Sequence, residues 1–128
     1  MFHYTVETVK SIEAAIASLE RNLKEENFGV LWHLDLQKKL REKGLDYDQK
    51  YNILEVCNPV EAKRLLSDNA LVGYFLPCKI IVYENQGQTK IGMPKPTALI
   101  GMVDRGCSLQ GIAEDVEKRL ISCIDKSV

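Results

Sequence analysis

Two short motifs gather the residues best placed to do chemistry: Cys57-Asn58-Pro59 and Leu76-Pro77-Cys78, their cysteines 21 residues apart. A cysteine acts as a nucleophile or soft-metal ligand through its thiolate, and the positive end of a helix dipole lowers a thiol pKa. Asn58 is a good N-cap and Pro59 suits a first helical position, so Cys57 is expected immediately ahead of a helix. The competing expectation is a small apolar residue closing a strand, as free cysteines commonly do, and packing outweighs reactivity. Cys78 precedes Lys79, whose ammonium would favour a thiolate. On a strand the two side chains point to opposite faces, and packing again outweighs reactivity.

A joint site is the sharper expectation. If the two strand ends adjoin, Cys57 and Cys78 fall in one local cluster, either as a redox pair or as two ligands of a soft metal. His33 and Asp35 share a strand face and could serve as an acid–base pair or complete a ligand set. No metal-ligand spacing supports that set, so no metal and no cofactor is expected. Asp35 also has a capping role to fill. The chain lacks a glycine-rich phosphate loop, a Ser-His-Asp order and a paired-carboxylate signature.

The elements that must position these residues follow from bulk properties and local signals. A length of 128 residues fits one domain, spanning 1–128, and 45% hydrophobic with 27% charged residues excludes a disordered chain. Seventeen basic against eighteen acidic residues leave a net charge of −1, which gives no reason to expect nucleic acid or an anionic membrane as partner. No apolar run approaches the ~18 residues of a membrane span. The N-terminus lacks the order of a signal peptide, so a cytoplasmic protein is expected. Four dispersed cysteines, Cys57, Cys78, Cys107 and Cys123, are then free thiols.

Residues 3–9 read as a strand, and Ser11 caps a helix carrying Ile12, Ala15, Ile16, Leu19 and Leu23 on one face to about Asn27. A strand from Phe28 to Asp35, a helix Leu36–Lys43 stopped by Gly44, and a polar loop 45–50 follow. Tyr51–Cys57 reads as a strand, then a helix from Pro59 to about Asn69 burying Ala62, Leu65 and Leu66. Residues 71–76 and Lys79–Glu84 both read as strands, with Pro77 at a bulge, bend or sheet edge. Asn85-Gln86-Gly87-Gln88 is a hairpin turn into Thr89–Met93, and Met93-Pro94-Lys95-Pro96 a stiff loop. Ala98–Val103 is compatible with strand or helix. After a turn at Asp104-Arg105-Gly106, Ser108 caps a final helix to Asp125 with a Leu109, Ile112, Val116, Leu120, Ile124 stripe; Gly111 would permit close helix packing. Trp32, Tyr51, Tyr74, Phe75 and Tyr83 read as strand aromatics, most of them core; the alternative is the wall of an apolar pocket between sheet and helices.

The string Ile53-Leu54-Glu55-Val56-Cys57-Asn58-Pro59, the helix ending Leu65-Leu66, and Leu76-Pro77-Cys78-Lys79-Ile80-Ile81-Val82-Tyr83-Glu84 together resemble the domain of unknown function 302 (DUF302) family. Gly29-Val30-Leu31, Asp35-Leu36, Lys39 and Pro96-Thr97-Ala98-Leu99 extend the resemblance over nearly the whole chain. It implies an α+β domain with a curved, mostly antiparallel sheet, two long helices and shorter helices on one face, in a TATA-binding-protein-like topology. It also implies a homodimer, and it brings no activity. The leading functional expectation is a small-ligand or partner-binding domain with its site at Cys57, Asn58, Pro59, Pro77, Cys78 and His33. The alternatives are a thiol-dependent redox protein or enzyme using Cys57 and Cys78, and a purely structural dimerisation module.

Overall fold

Local capping signals set most element boundaries. The computed structural model describes residues 1–103 and 109–128. Its elements run β1 (His3–Thr8), α1 (Ile12–Glu25), β2 (Gly29–Asp35), α2 (Leu36–Glu42), β3 (Tyr51–Cys57), α3 (Pro59–Asp68), a 3-10 turn (Ala70–Tyr74), β4 (Cys78–Asn85), β5 (Gln88–Pro94), α4 (Pro96–Val103) and α5 (Gln110–Lys126). The expected turn at Asp104-Arg105-Gly106, the Ser108 cap and Cys107 lie outside the described residues.

Ser11 Oγ accepts the Ala14 N–H at 3.1 Å, Asp35 Oδ1 accepts that of Lys38 at 3.0 Å, and Asn58 Oδ1 accepts those of Val60 and Glu61 at 3.1 and 3.3 Å. Each satisfies first-turn donors that the helix itself leaves open. Gly44 follows α2 at φ +77°, a conformation that costs glycine nothing. Gln86 and Gly87, at φ +52° and +78°, make the tight β4–β5 hairpin turn.

Residues 71–76 do not form a strand. Asn69 Oδ1 accepts the Leu71 N–H at 2.9 Å and starts the 3-10 turn, which buries Val72 and leaves Leu71 and Tyr74 exposed. A short apolar run carries no periodicity that separates a strand from a helical turn, and here the cap decided. Pro77 sits ahead of β4, after a cis Leu76–Pro77 bond, and so removes no ladder donor. The two-proline segment is shorter than a loop: Pro94 ends β5 and Pro96 opens α4, with only Lys95 between. The Ala98–Val103 run is therefore helical.

The fold is α+β. One five-stranded sheet has the order β1-β5-β4-β3-β2, every neighbouring pair antiparallel. Strands β2 to β5 form an unbroken meander, and β1 adds at the far edge beside β5. Along β3, buried Asn52, Leu54 and Val56 alternate with half-buried Tyr51, Ile53, Glu55 and Cys57, so one face carries the core. Helices α1 and α5 pack on that face: Ala15, Leu19 and Leu23 from α1, and Val116, Leu120, Cys123 and Ile124 from α5, meet Leu54, Val56, Ile80, Val82, Ile91 and Met93. A smaller cluster of Leu65, Val72, Ile100, Leu109 and Ala113 joins α3, the 3-10 turn, α4 and α5. In α3 only Leu65 is buried; Leu66 is largely exposed and Ala62 half-buried.

Arg119 of α5 ties together α3, the C-cap of α1 and the residue ahead of β2. Its guanidinium pairs with Glu26 at 3.2 Å, Asp115 at 3.4 Å and Glu61 at 3.7 Å. It also donates to the Glu26 carbonyl at 2.7 Å and lies 5.1 Å over the Phe28 ring. Strands β1 and β5 approach tightly at Gly92, where an added Cβ would stand 2.7 Å from Thr5 Oγ1. Gly111 is no such point: among the described residues nothing lies within 4 Å of the position its Cβ would take.

Candidate functional site

The sheet register fixes where the motif residues go. Val56 pairs with Cys78, and Cys57 stands one residue beyond, level with Gly29. The β3 and β4 ends therefore adjoin, as the joint-site expectation requires. Strand alternation then separates the side chains: Cys57 falls on the face of Tyr51, Ile53 and Glu55, Cys78 on the core face with Ile80 and Val82. Cys57, Cys78 and Cys123 are all unbridged.

Neither motif thiol is activated. Burial pushes the Cys57 thiol up, in line with the packing reading and against the lowering that the α3 N-terminus could have produced. The Asn58 side chain already occupies the α3 donors, and Cys57 lies outside the cap rather than over the helix end. Burial, with a smaller contribution from Cys57, pushes Cys78 from 9.0 to about 11. Both are thiols, not thiolates, at neutral pH.

The remaining motif residues have structural partners or open positions. Asn58 is buried as the α3 cap, and Pro59 is exposed at the first position of that helix. His33 pairs with Leu54 on edge strand β2, and its Nε2 lies 2.8 Å from Asn52 Oδ1, donating to it in the tautomer that bond selects. Strand β3 separates His33 from β4, so it does not join Pro77 and Cys78. Asp35 is engaged at its cap, and among the described residues no three of His, Cys, Asp and Glu group as a metal-ligand set.

What Pro77 and Cys78 do border is a cavity of about 220 Å³. It lies at the seam between the main core and the smaller cluster. Cys78, Met93 and Pro94 form its sheet wall; Ala113, Val116 and Leu120 of α5 form the opposite one. Pro96, Leu99 and Ile100 of α4, Leu65 of α3, and Val72 and Tyr74 through Pro77 close the sides. Of the five aromatics, Tyr74 and Phe75 reach it, and neither is in a strand. None of the five belongs to the buried core: Trp32 is 51% and Tyr74 83% exposed, and Tyr51 and Tyr83 pair half-buried across β3 and β4, ring centroids 5.3 Å apart.

Sequence reasoning missed the α4 and α5 walls. One signal was present: Pro96-Thr97-Ala98-Leu99-Ile100-Gly101-Met102-Val103 is uncharged throughout. A helix without a charged face is covered on several sides or borders an apolar space.

An antiparallel α+β domain with an apolar cavity between helices and the end of its sheet defines a structural class without a reaction. The profile of the family described as "Domain of unknown function DUF302" matches residues 3–127, and the chain belongs to that family. It is similar to a crystal structure of an uncharacterized conserved DUF302 protein from Bacillus stearothermophilus, at 55% identity and a TM-score of 0.96, over 100% of this chain and 99% of that one. No curated protein matches the chain.

Proposed function

We propose that this protein is a small-ligand-binding domain whose site is the cavity bordered by Pro77 and Cys78. The observation that carries the reading is the cavity itself, in a chain of 128 residues. Apolar concave spaces between a sheet and its helices are where small ligands commonly bind. The upward shift of both motif thiols favours binding over thiol chemistry.

The test is a titration of ¹⁵N-labelled protein with indole, an uncharged probe small enough for the space. Amides of Leu76, Cys78, Ile100 and Ala113 shift, and the shifts disappear in Ala113→Phe, which fills the cavity from α5. Leu99→Trp fills it from α4, where the parent side chain is only half-buried, and is the second variant if Ala113→Phe fails to fold. Unchanged binding in a folded, filled variant would remove the cavity from the reading. We also propose the single domain, cytoplasmic setting and homodimer expected from the sequence. Light scattering at micromolar concentration reads the dimer directly, and a monomer mass rejects it.

A further inference from the structure

Resting on the cavity as a binding site, we infer that its ligand is an uncharged, apolar molecule of about nine non-hydrogen atoms, and not an anionic amphiphile. Size follows from volume. An apolar cavity of about 150 Å³ takes benzene, and scaling six ring atoms to 220 Å³ gives about nine.

Charge follows from the walls. Among the described lining residues, Lys79 alone is charged, and its ammonium bonds Glu55 at 2.6 Å across the β3–β4 pair. Lys79 and Glu55 share the sheet face opposite the core, so only the lysine stem or backbone borders the cavity. Three of the four prolines in the chain, Pro77, Pro94 and Pro96, lie in the lining, and proline has no N–H to offer a carboxylate or phosphate. The α4 N-terminus is already taken: Glu117 Oε1 accepts the Thr97 N–H at 3.1 Å and the Thr97 hydroxyl at 2.7 Å. A second anion there would meet a carboxylate. Among the described lining side chains, the polar groups that remain are the neutral Cys78 thiol and the neutral phenol of the exposed Tyr74.

Among the described residues, an anionic ligand held inside the cavity would therefore find no charged partner for its charge, a cost greater than the gain from burying its chain. A neutral ligand of the same shape gives up little on leaving water.

The experiment compares 1-octanol with octanoate, matched in chain length and differing in charge, by calorimetric titration of the wild-type protein and of the filled variants. The expected result is saturable 1-octanol binding, lost on filling, with octanoate weaker by roughly a hundredfold or more at neutral pH. Octanoate regains affinity as the pH falls towards its own titration range, because the neutral acid is the form that fits. Octanoate binding as tightly as 1-octanol at neutral pH would overturn the inference about charge and leave the cavity as a site. If neither binds while indole does, the chain-shaped ligand is rejected and a compact ring retained. If none of the three binds, the proposed function fails with it.

Discussion

Replacing Cys78 by alanine should flatten the loss of stability at alkaline pH by an amount fixed by the burial of that thiol. Burial raises Cys78 from 9.0 to about 11, so the folded chain keeps the proton to a higher pH than the unfolded chain does. A group raised in this way contributes stability that is fully present below the unfolded value and lost as pH rises through the folded one. The full difference of about two pH units corresponds to roughly 2.7 kcal/mol, and between pH ~8 and ~10 about 1.3 kcal/mol of it disappears. Burial also raises Cys57, Tyr51 and Cys123, and a hydrogen bond to Asp125 raises Tyr4, so the wild-type slope contains more than one group. Those contributions persist in Cys78→Ala and cancel when the two proteins are compared. The assay is urea unfolding under reducing conditions at both pH values for both proteins. The variant loses some packing at each pH, but its loss between the two is smaller than that of wild type by about 1.3 kcal/mol. Identical pH slopes would show that Cys78 titrates as an ordinary thiol, and the reasoning from its burial would fall with it.

Three further outcomes follow from contacts described above. Asn58→Ala removes the acceptor of two α3 N–H groups from a buried cap and should cost about 1–2 kcal/mol in urea unfolding; Asn58→Asp, which keeps the acceptor, should recover most of it. Gly92→Ala forces a Cβ to within 2.7 Å of Thr5 Oγ1 and 3.3 Å of the Tyr4 carbonyl, and should lower stability by about 1–3 kcal/mol, with hydrogen exchange rising first along β1. Arg119→Ala leaves the Glu26 carbonyl without its guanidinium donor, while Glu61 keeps Arg64 at 3.0 Å, and should cost about 2 kcal/mol. Raising the salt concentration should weaken the wild type by much less than this, since Arg119 is 23% exposed and screening acts mainly on exposed pairs.

The sequence was most legible where independent signals coincided. At Tyr51–Asn58–Pro59, strand alternation, an N-cap and a first-position proline all point to one boundary, and the structure has it there. Asp35 and Gly44 bracket α2 in the same way. The run from Leu71 to Leu76 had only its hydrophobicity, which a strand and a helical turn satisfy equally, and an asparagine side chain two residues ahead determined the outcome. The surroundings of the two motifs were less legible. Pro77 and Cys78 do border the cavity, but the face each side chain takes depends on a register between strands that no local pattern encodes. Cys57 reads in sequence as the better placed of the two for chemistry, and a single residue of offset puts it on the face opposite Cys78. The α4 and α5 walls come from residues 96–120, remote in sequence from either motif, so only the folded chain assembles them.

The place of β1 at the far edge of the meander also bears on the order in which the chain folds. Strands β2 to β5 join successive neighbours, whereas β1 pairs with β5, Val6 opposite Ile91 and 85 residues away in sequence. Long-range pairing of this kind carries a larger loop-closure cost than the connections within the meander. During synthesis β1 emerges first and its partner only after 80 further residues have been added, so Tyr4 and Val6 wait without the sheet they pack into. The earliest strand made is thus the last to find its place, and the β5 edge stays open to any other strand until β1 closes it.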